Sequence, residues 1–415
     1  MTDATAGPAG AVTRGSVVRV GAATAVSALC GYSVLYLAAR DLEPAGFSVF
    51  GVFWGAFGLV SGAAFGLLQE TTREVRSAAA AGADTERTHP MRVAAGVGVA
   101  AGILLAVTSP LWSAHVFVEE RLLSVVLLAA GLAGFCLHTT LLGVLAGLGR
   151  WSQYGALMVA DAVARVAVAA AAFAVGWGLG GYLWATVAGA FAWLGLLAVS
   201  PVSRAAARML TPGGTATFLR GTGHSIAAAG ASAVLVMGFP VLLEATSGGD
   251  LGAAGGVVIL AVTLTRAPLL VPLTAMQGNL IAHFVDQQAH RLRALVAPAA
   301  LVAGLGAAGV ALAAAFGPWL LREAFGPEYG ADGTLLAWFT AAAVAIALLT
   351  LTGAATVAAA LHRAYSAGWL CATVAAGLLL LLPLDLEVRT VVALLCGPLL
   401  GIGLHLGALA RVSAG

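Results

Sequence analysis

Residues 152–176 read SQYGALMVADAVARVAVAAAAFAVG, a run rich in alanine and valine in which only Asp161 and Arg165 carry charge. A helix that spans a bilayer needs roughly 20 consecutive, predominantly apolar residues. The run therefore predicts a transmembrane helix with two charges near its centre. A charge at that depth costs about 2.5–3.5 kcal/mol on insertion scales, so the two residues are candidates for a functional site.

The rest of the chain has the same apolar character. It has 415 residues, of which 60% are hydrophobic and 9% charged, and its mean hydropathy is +0.98. Soluble domains carry about 25% charged residues. The composition therefore predicts an all-α integral membrane protein. Twelve runs are long enough to span a bilayer, and they cover residues 16–39, 44–68, 91–113, 122–147, 152–176, 180–200, 222–245, 251–280, 294–318, 333–360, 365–384 and 388–411.

The distribution of arginine predicts the orientation of these spans. The chain has no lysine, and its fixed positive charges are 20 arginines. With the N-terminus inside, 14 of them fall in cytoplasmic segments and 4 in external loops, while Arg165 and Arg266 lie within spans. Cytoplasmic loops carry the excess of positive charge in membrane proteins. We therefore expect a multi-pass protein of the cytoplasmic membrane with both termini in the cytoplasm.

Two weak internal repeats predict a duplicated architecture. Residues 37–69 are similar to 244–277, and LAGLGRWSQYGAL (145–157) is similar to AAALHRAYSAGWL (358–370). Halves with an even number of spans share their orientation, which makes them parallel repeats. The predicted fold is therefore two six-helix bundles. The predicted divisions are a disordered tail at 1–15, an N-terminal bundle at 16–200, a basic linker at 201–221 and a C-terminal bundle at 222–415.

Two stretches resemble a known family. Residues 36–60, YLAARDLEPAGFSVFGVFWGAFGLV, resemble the opening of Wzx-type polysaccharide flippases, in which a small-residue and arginine turn precedes a Gly-Phe pair and the second span. The turn GLGRWSQYG (147–155) is similar to the Gly-Arg-x-x-x-Tyr-like turn of that family. The twelve-span layout and the 6+6 repeat resemble the wider multidrug/oligosaccharidyl-lipid/polysaccharide exporter superfamily.

This resemblance implies a two-bundle transporter rather than an enzyme. Its implied substrate is an isoprenoid-(pyro)phosphate-linked oligosaccharide, which alternating access would move from the inner to the outer leaflet. The implied surroundings are membrane lipid, with glycosyltransferases or a polymerase of polysaccharide biosynthesis as further candidate partners. A multidrug exporter of the same superfamily is the first alternative. A membrane glycosyltransferase or polymerase and a non-transporting scaffold protein are the others.

The membrane-embedded charges predict the substrate-binding residues Asp161, Arg165 and Arg266. At a spacing of four residues, Asp161 and Arg165 share a helix face and can form an ion pair, which is either a structural link or part of a cavity. Arg266 has no acid at its own depth, so it needs Asp161 or an anionic ligand. A guanidinium group presents a planar set of donors that matches phosphate oxygens, and it remains charged in a partly dry cavity.

Four other polar residues are candidates for a gate or a proton relay. His138 lies near mid-depth of the fourth span, where a histidine is either a hydrogen-bonded core residue or a relay. Gln69, Glu70 and Arg73 lie at the inner end of the second span, where they form either a solvated helix end or a gate at the cytoplasmic mouth. The sequence has no P-loop, HEXXH or GxSxG motif and no metal-spaced His/Cys cluster. We therefore expect no catalytic residues, cofactor, metal or nucleic-acid partner.

Overall fold

Helices make up almost all of the structure. The computed structural model describes residues 14–78, 87–248, 251–287 and 291–413. The helices are α1 (Arg14–Ser77), α2 (Pro90–Trp112), α3 (Arg121–Gly147), α4 (Trp151–Val175), α5 (Leu179–Ala188), α6 (Ala192–Val199), α7 (Pro201–Ala207), α8 (Thr215–Val236), α9 (Phe239–Ser247), α10 (Gly252–Ala275), α11 (Gln277–Asp286), α12 (Arg291–Phe325), α13 (Gly333–Ala358), α14 (His362–Leu380) and α15 (Leu386–Ser413).

The number of membrane spans agrees with the predicted number. Ten of the described helical segments are long and apolar enough to cross a membrane. The first of them, within α1, contains two spans, because the backbone of Glu43 is non-helical at φ 54° and ψ 173°. Helices α8 and α9 together form one further span, bent by 62°. These additions give twelve spans and confirm the predicted all-α membrane fold.

The break in α1 follows from its sequence. Pro44 has no N–H, and its ring disfavours the helical conformation of the preceding residue. Glu43 is non-helical, with a positive φ, and the second half of α1 starts at Pro44. A β-carbon on Gly256 of α10 would overlap the carbonyl oxygen of Pro44. The close approach of α10 to this turn therefore requires glycine at position 256.

The structure divides into two compact units. Unit 1 comprises the described residues of Met1–Asp41 together with Ala56–Ala233, and unit 2 comprises Leu42–Gly55 together with Val234–Gly415. The predicted bundles at 16–200 and 222–415 group the chain differently. Residues 42–55 belong to unit 2 and residues 222–233 to unit 1, although each stretch is part of a helix that continues into the other unit.

Close packing through glycine accounts for this grouping. A β-carbon on Gly51 of α1 would lie 2.8 Å from the Ile259 side chain of unit 2. Further along α1, a β-carbon on Gly66 would overlap the backbone N of Ile226 in unit 1. Small residues let membrane helices approach to backbone contact. The two ends of one long helix therefore pack against different parts of the chain.

Each unit has its own apolar core. A helix that is hydrophobic on all sides is buried by its neighbours, and α3 and α13 have this role in units 1 and 2. The unit 1 cluster consists of Val75, Leu141, Leu142, Val144, Leu145, Leu157 and Ala206, and the unit 2 cluster consists of Phe284, Leu295, Leu351, Ala354, Ala355 and Leu409.

One of the predicted repeats has the same backbone turn in both units. Gly149 (φ 68°) follows α3 and Ala360 (φ 59°) follows α13. In both turns the next N–H donates to the carbonyl five residues earlier, at 2.8 Å from Arg150 and 2.9 Å from Leu361. The structure therefore pairs Arg150 with Leu361, whereas the sequence comparison paired it with Arg363. Matching the two arginines shifts the register by two residues. The register of this turn is fixed by the residue with positive φ, which is Gly149 after α3 and Ala360 after α13.

A short strand pair ties two connections of unit 1 together. β1 (Arg87–Thr88) pairs antiparallel with β2 (Thr211–Pro212). The hydroxyl of Thr88 also donates to the carbonyl of Gly213 at 2.7 Å. The segment that enters α2 is thereby anchored to the predicted linker at 201–221.

Candidate functional site

Asp161 and Arg165 form an ion pair on α4. Nε and Nη2 of Arg165 both donate to Oδ1 of Asp161, at 3.1 and 3.0 Å. Nη1 of Arg165 donates to the carbonyl of Thr186 on α5 at 2.6 Å. Each of the three guanidinium nitrogens therefore donates one hydrogen bond to the protein. The group has five N–H groups in all. The pair links α4 to α5.

A glycine and a phenylalanine make room for this ion pair. Gly189 lies in the 3-10 turn Gly189–Phe191 between α5 and α6, and a β-carbon there would overlap Oδ1 of Asp161. The guanidinium carbon of Arg165 lies 5.3 Å from the ring centroid of Phe57 on α1, within cation–π range. The Asp161 side chain is 20% exposed and the Arg165 side chain 14% exposed.

Arg266 occupies the break between α8 and α9. In a continuous helix the N–H of residue 240 would donate to the carbonyl of residue 236. Pro240 has no N–H, so this carbonyl loses its helical donor. Nη1 of Arg266, on α10, donates to the Val236 carbonyl at 3.2 Å. The arginine therefore satisfies a backbone acceptor that the proline leaves open.

The remaining surroundings of Arg266 leave part of its guanidinium without an acceptor. The residue is 8% exposed, and its Nη2 atom is buried without a hydrogen-bond partner among the described residues. Its guanidinium carbon lies 5.2 Å from the ring centroid of Phe239. In the described part of the chain, the ion pairs involve Arg73 and Arg165 and not Arg266. A buried charged donor without an acceptor is costly, and the described residues leave the hydrogen-bonding capacity of Nη2 unsatisfied.

Of the predicted gate residues near the C-terminal end of α1, Glu70 contacts α8. Glu70 is buried, and its carboxylate accepts hydrogen bonds from Nε and Nη2 of Arg73. The hydroxyl of Ser225 lies 3.4 Å from Oε2 of Glu70, and a β-carbon on Gly221 would overlap Oε1. Gln69 is exposed. Glu70 and Arg73 therefore belong to one polar contact between α1 and α8 inside unit 1, and Gln69 lies outside it.

His138 lies in an aromatic part of unit 1. The residue is 2% exposed, and its ring stacks on that of Phe135 with a centroid separation of 5.4 Å and an interplanar angle of 8°. Its Nδ1 atom is buried and has no hydrogen-bond partner within the described residues. The stacking gives His138 a packing role, and the proposed proton relay stays a prediction.

The charges of the two arginine sites were predictable from the sequence, but their neighbours were not. Phe57, Gly189 and Phe239 touch the two guanidinium groups, and nothing in the local pattern around them indicates this. The acceptor at Val236 could have been predicted, because Pro240, four residues later, has no N–H to donate to the Val236 carbonyl. As to metals, residues 14–78, 87–248, 251–287 and 291–413 contain no group of three or more His, Cys, Asp or Glu side chains that could hold an ion.

The chain is similar in sequence to mycobacterial proteins. It is 71% identical over 404 residues to "Uncharacterized protein Rv3630" of Mycobacterium tuberculosis and to "Uncharacterized protein Mb3654" of Mycobacterium bovis, an alignment that covers 97% of this chain and 94% of each relative. It is 66% identical over 417 residues to "Uncharacterized protein Rv1510" of Mycobacterium tuberculosis, with 99% of this chain and 96% of the relative covered. No family model matches the chain.

Solved membrane transporters share its fold. An inward-facing multidrug resistance MATE family transporter of the MOP superfamily superposes with a TM-score of 0.73 at 16% identity, over 96% of this chain and 99% of the transporter. A MOP superfamily transporter from Pyrococcus furiosus, described as having a binding pocket of reverse polarity, gives 0.65 at 15% identity over 95% and 96%. At these identities the likeness establishes the twelve-helix, two-lobe fold.

Proposed function

The chain belongs to the same family as the mycobacterial proteins Rv3630 and Rv1510, and we propose that it is a membrane transporter of an anionic, lipid-linked substrate. The substrate class that fits best is an isoprenoid-(pyro)phosphate-linked oligosaccharide, moved from the inner to the outer leaflet by alternating access. The shared fold with MOP superfamily transporters supports the transport part of this proposal. The Wzx-type resemblance of residues 36–60 supports the substrate class.

One observation carries the choice of an anionic substrate. Arg266 is 8% exposed, has an unpartnered Nη2 atom, and has no carboxylate bound to it among the residues that the structure describes. Ionisable residues within membrane spans usually pair with one another or mark a substrate pathway. Since Nη1 is already bound to the Val236 carbonyl, the free Nη2 is the position that a substrate acceptor would occupy.

The chemistry of the guanidinium favours a phosphate. Charge-assisted hydrogen bonds from arginine to phosphate are about twice as strong as neutral ones. Arginine is also more weakly hydrated than lysine and keeps its charge when buried. A diphosphate that binds Nη2 would gain a counter-charge within the membrane while its isoprenoid tail stays in lipid. Arg266 would therefore lower the free-energy cost of moving the charged headgroup.

The multidrug exporter remains the alternative because Asp161 offers an acid within a span. That acid is already bound to Arg165 through its Oδ1 atom, so the pair carries no net charge to attract an organic cation. A buried, uncompensated Arg266 would repel one. Reversed pocket polarity is described for the MOP superfamily transporter from Pyrococcus furiosus, which supports the idea that this fold accommodates substrates of different charge.

A flipping assay with reconstituted protein tests the proposal. The full chain would be placed in vesicles that contain a fluorescent isoprenyl-diphosphate-linked disaccharide, and protection of the probe from an impermeant quencher would be followed over time. We expect wild-type protein to move the probe and Arg266→Gln to slow it by about 10- to 100-fold, the loss of one charged hydrogen bond. Arg150→Gln, which removes an exposed arginine, is the matched control and should retain the rate.

Two results would overturn the proposal. One is a wild-type rate in the Arg266→Gln vesicles at equal protein content. The other is transport of an organic cation such as ethidium by wild-type protein that does not move the diphosphate probe, which would favour the multidrug exporter.

A further inference from the structure

Unit 1 contains an aromatic cluster beside the Asp161–Arg165 pair. The ring of Phe135 on α3 contacts Phe57 and Phe65 on α1, at centroid separations of 5.9 and 5.6 Å and near-perpendicular angles. Arg165 lies over Phe57. Phe57 and Phe135 are buried, whereas Phe65 is 42% exposed. The cluster therefore connects the exposed ring of Phe65, through Phe135 and Phe57, to the ion pair.

The ion pair retains free hydrogen-bonding capacity on its exposed side. Both hydrogen bonds from Arg165 end on Oδ1 of Asp161. Oδ2 accepts none of the hydrogen bonds formed within the described residues, and the Asp161 side chain is 20% exposed. Two of the five N–H groups of Arg165 are also unused. The pair can therefore accept from and donate to a ligand without breaking.

We infer that Phe65 and the Asp161–Arg165 pair form a saccharide-binding subsite. A sugar ring presents an apolar C–H face and a rim of hydroxyl groups, each of which donates and accepts. The Phe65 ring would pack against the C–H face, and Oδ2 of Asp161 and the free N–H groups of Arg165 would bind hydroxyls. Binding sites combine apolar walls with a few placed polar groups in this way. The inference rests on the proposed function, because it assigns the sugar part of that substrate to unit 1.

This subsite gives Arg165 a role different from that of Arg266. The carboxylate neutralises the charge of Arg165, so the pair suits an uncharged, hydroxyl-rich group better than a phosphate. Gly189 holds Oδ1 of Asp161 against the 3-10 turn, which leaves Oδ2 as the oxygen that faces a ligand. Of the two predicted roles of the pair, a structural link or part of a cavity, this subsite favours the second, with Asp161 as a direct acceptor for sugar hydroxyls.

Saturation-transfer NMR with free sugars tests the subsite. The full chain in nanodiscs would be mixed with a panel of glucose, galactose, mannose, rhamnose and arabinose. We expect transfer to the C–H protons of at least one sugar, reduced by about 2- to 10-fold in Phe65→Leu, the range of an aromatic contact, and lost in Asp161→Asn. Phe173→Leu is the matched control. Phe173 is 44% exposed and lies on the same helix as Asp161, but about 18 Å from Asp161 along the helix axis.

The outcomes separate this inference from the proposed function. Absence of transfer from every sugar, or equal signals in Phe65→Leu and Phe173→Leu, would overturn the subsite. The melting temperature of each variant would be measured to show that it folds. In the case that Asp161→Asn does not fold, the Phe65→Leu result alone tests the subsite. The same samples would then be titrated with an isoprenyl diphosphate that carries no sugar. Retained diphosphate binding without sugar binding removes only the subsite, and the reverse removes only the proposed role of Arg266.

Discussion

The two membrane-embedded arginine sites have the same construction apart from one carboxylate. Arg165 and Arg266 each lie over a phenylalanine ring, at 5.3 and 5.2 Å from the guanidinium carbon to the ring centroid. Each also donates one Nη1 hydrogen bond to a main-chain carbonyl, at 2.6 and 3.2 Å. Among the residues that the structure describes, Arg165 has an acid bound to it, Asp161 one helical turn away, and Arg266 has none.

This difference separates a guanidinium whose charge is neutralised from one that can bind an anion. A paired guanidinium offsets its desolvation through the carboxylate, and its loss leaves an uncompensated charge. An unpaired guanidinium keeps an open donor, and its loss removes a costly group from the interior. The two sites should therefore respond differently to the same substitution, in stability and in ligand binding.

The largest effect is expected from Arg165→Leu. The substitution leaves the Asp161 carboxylate without its counter-ion and should lower the free energy of unfolding by about 3 kcal/mol, the lower end for a broken buried pair because both side chains are partly exposed. The double variant Asp161→Asn/Arg165→Leu should recover most of that loss. Denaturant titration of the three proteins measures both values, and a double variant as unstable as Arg165→Leu would contradict the structural role of the pair.

A smaller effect is expected from Gly189→Ala. The added β-carbon overlaps Oδ1 of Asp161, and overpacking of this kind costs about 1–3 kcal/mol. Gly195→Ala is the control, because a β-carbon there meets no atom within 4 Å, and alanine is the better helix former by about 0.5–1 kcal/mol. Thermal unfolding of both variants compares them directly. Equal melting temperatures would show that Asp161 does not need the space above Gly189.

The smallest effect on stability is expected from Arg266→Leu. The loss of the bond to the Val236 carbonyl destabilises the protein, and the removal of an unpaired buried charge stabilises it. We expect these terms to cancel to within about 1 kcal/mol in the same denaturant titration. A loss as large as that of Arg165→Leu would mean that Arg266 has an acidic partner and that the two sites are equivalent.

The fold was predictable because membrane spans are encoded locally. Run length alone identifies each span, and the breaks at Pro44 and Pro240 follow from missing N–H groups. The packing of 42–55 with unit 2 was not predictable, because it depends on non-local contacts such as Gly51 against Ile259. A pattern rich in alanine, glycine and leucine contains no information about which helix lies opposite.

The same distinction applies to the site. The Asp161–Arg165 pair was predictable because a spacing of four residues places both side chains on one helix face. The acceptor of Arg266 is 30 residues away at Val236, and Phe57 is more than a hundred residues from Arg165. The sequence indicated that Arg266 needs a partner but could not indicate that a backbone carbonyl provides part of it.

The assignment of Arg266 as the anion site is tested most directly by adding a carboxylate beside it. Val262 is buried on α10, four residues before Arg266, so Val262→Asp reproduces the spacing of Asp161 and Arg165. Binding of an isoprenyl diphosphate would be measured by calorimetry for the wild type, Arg266→Gln and Val262→Asp. We predict that the two variants lose affinity by about 10- to 100-fold, one because it lacks the cation and the other because an acid occupies it. Undiminished binding by Val262→Asp and Arg266→Gln would contradict the assignment of Arg266 as the anion site.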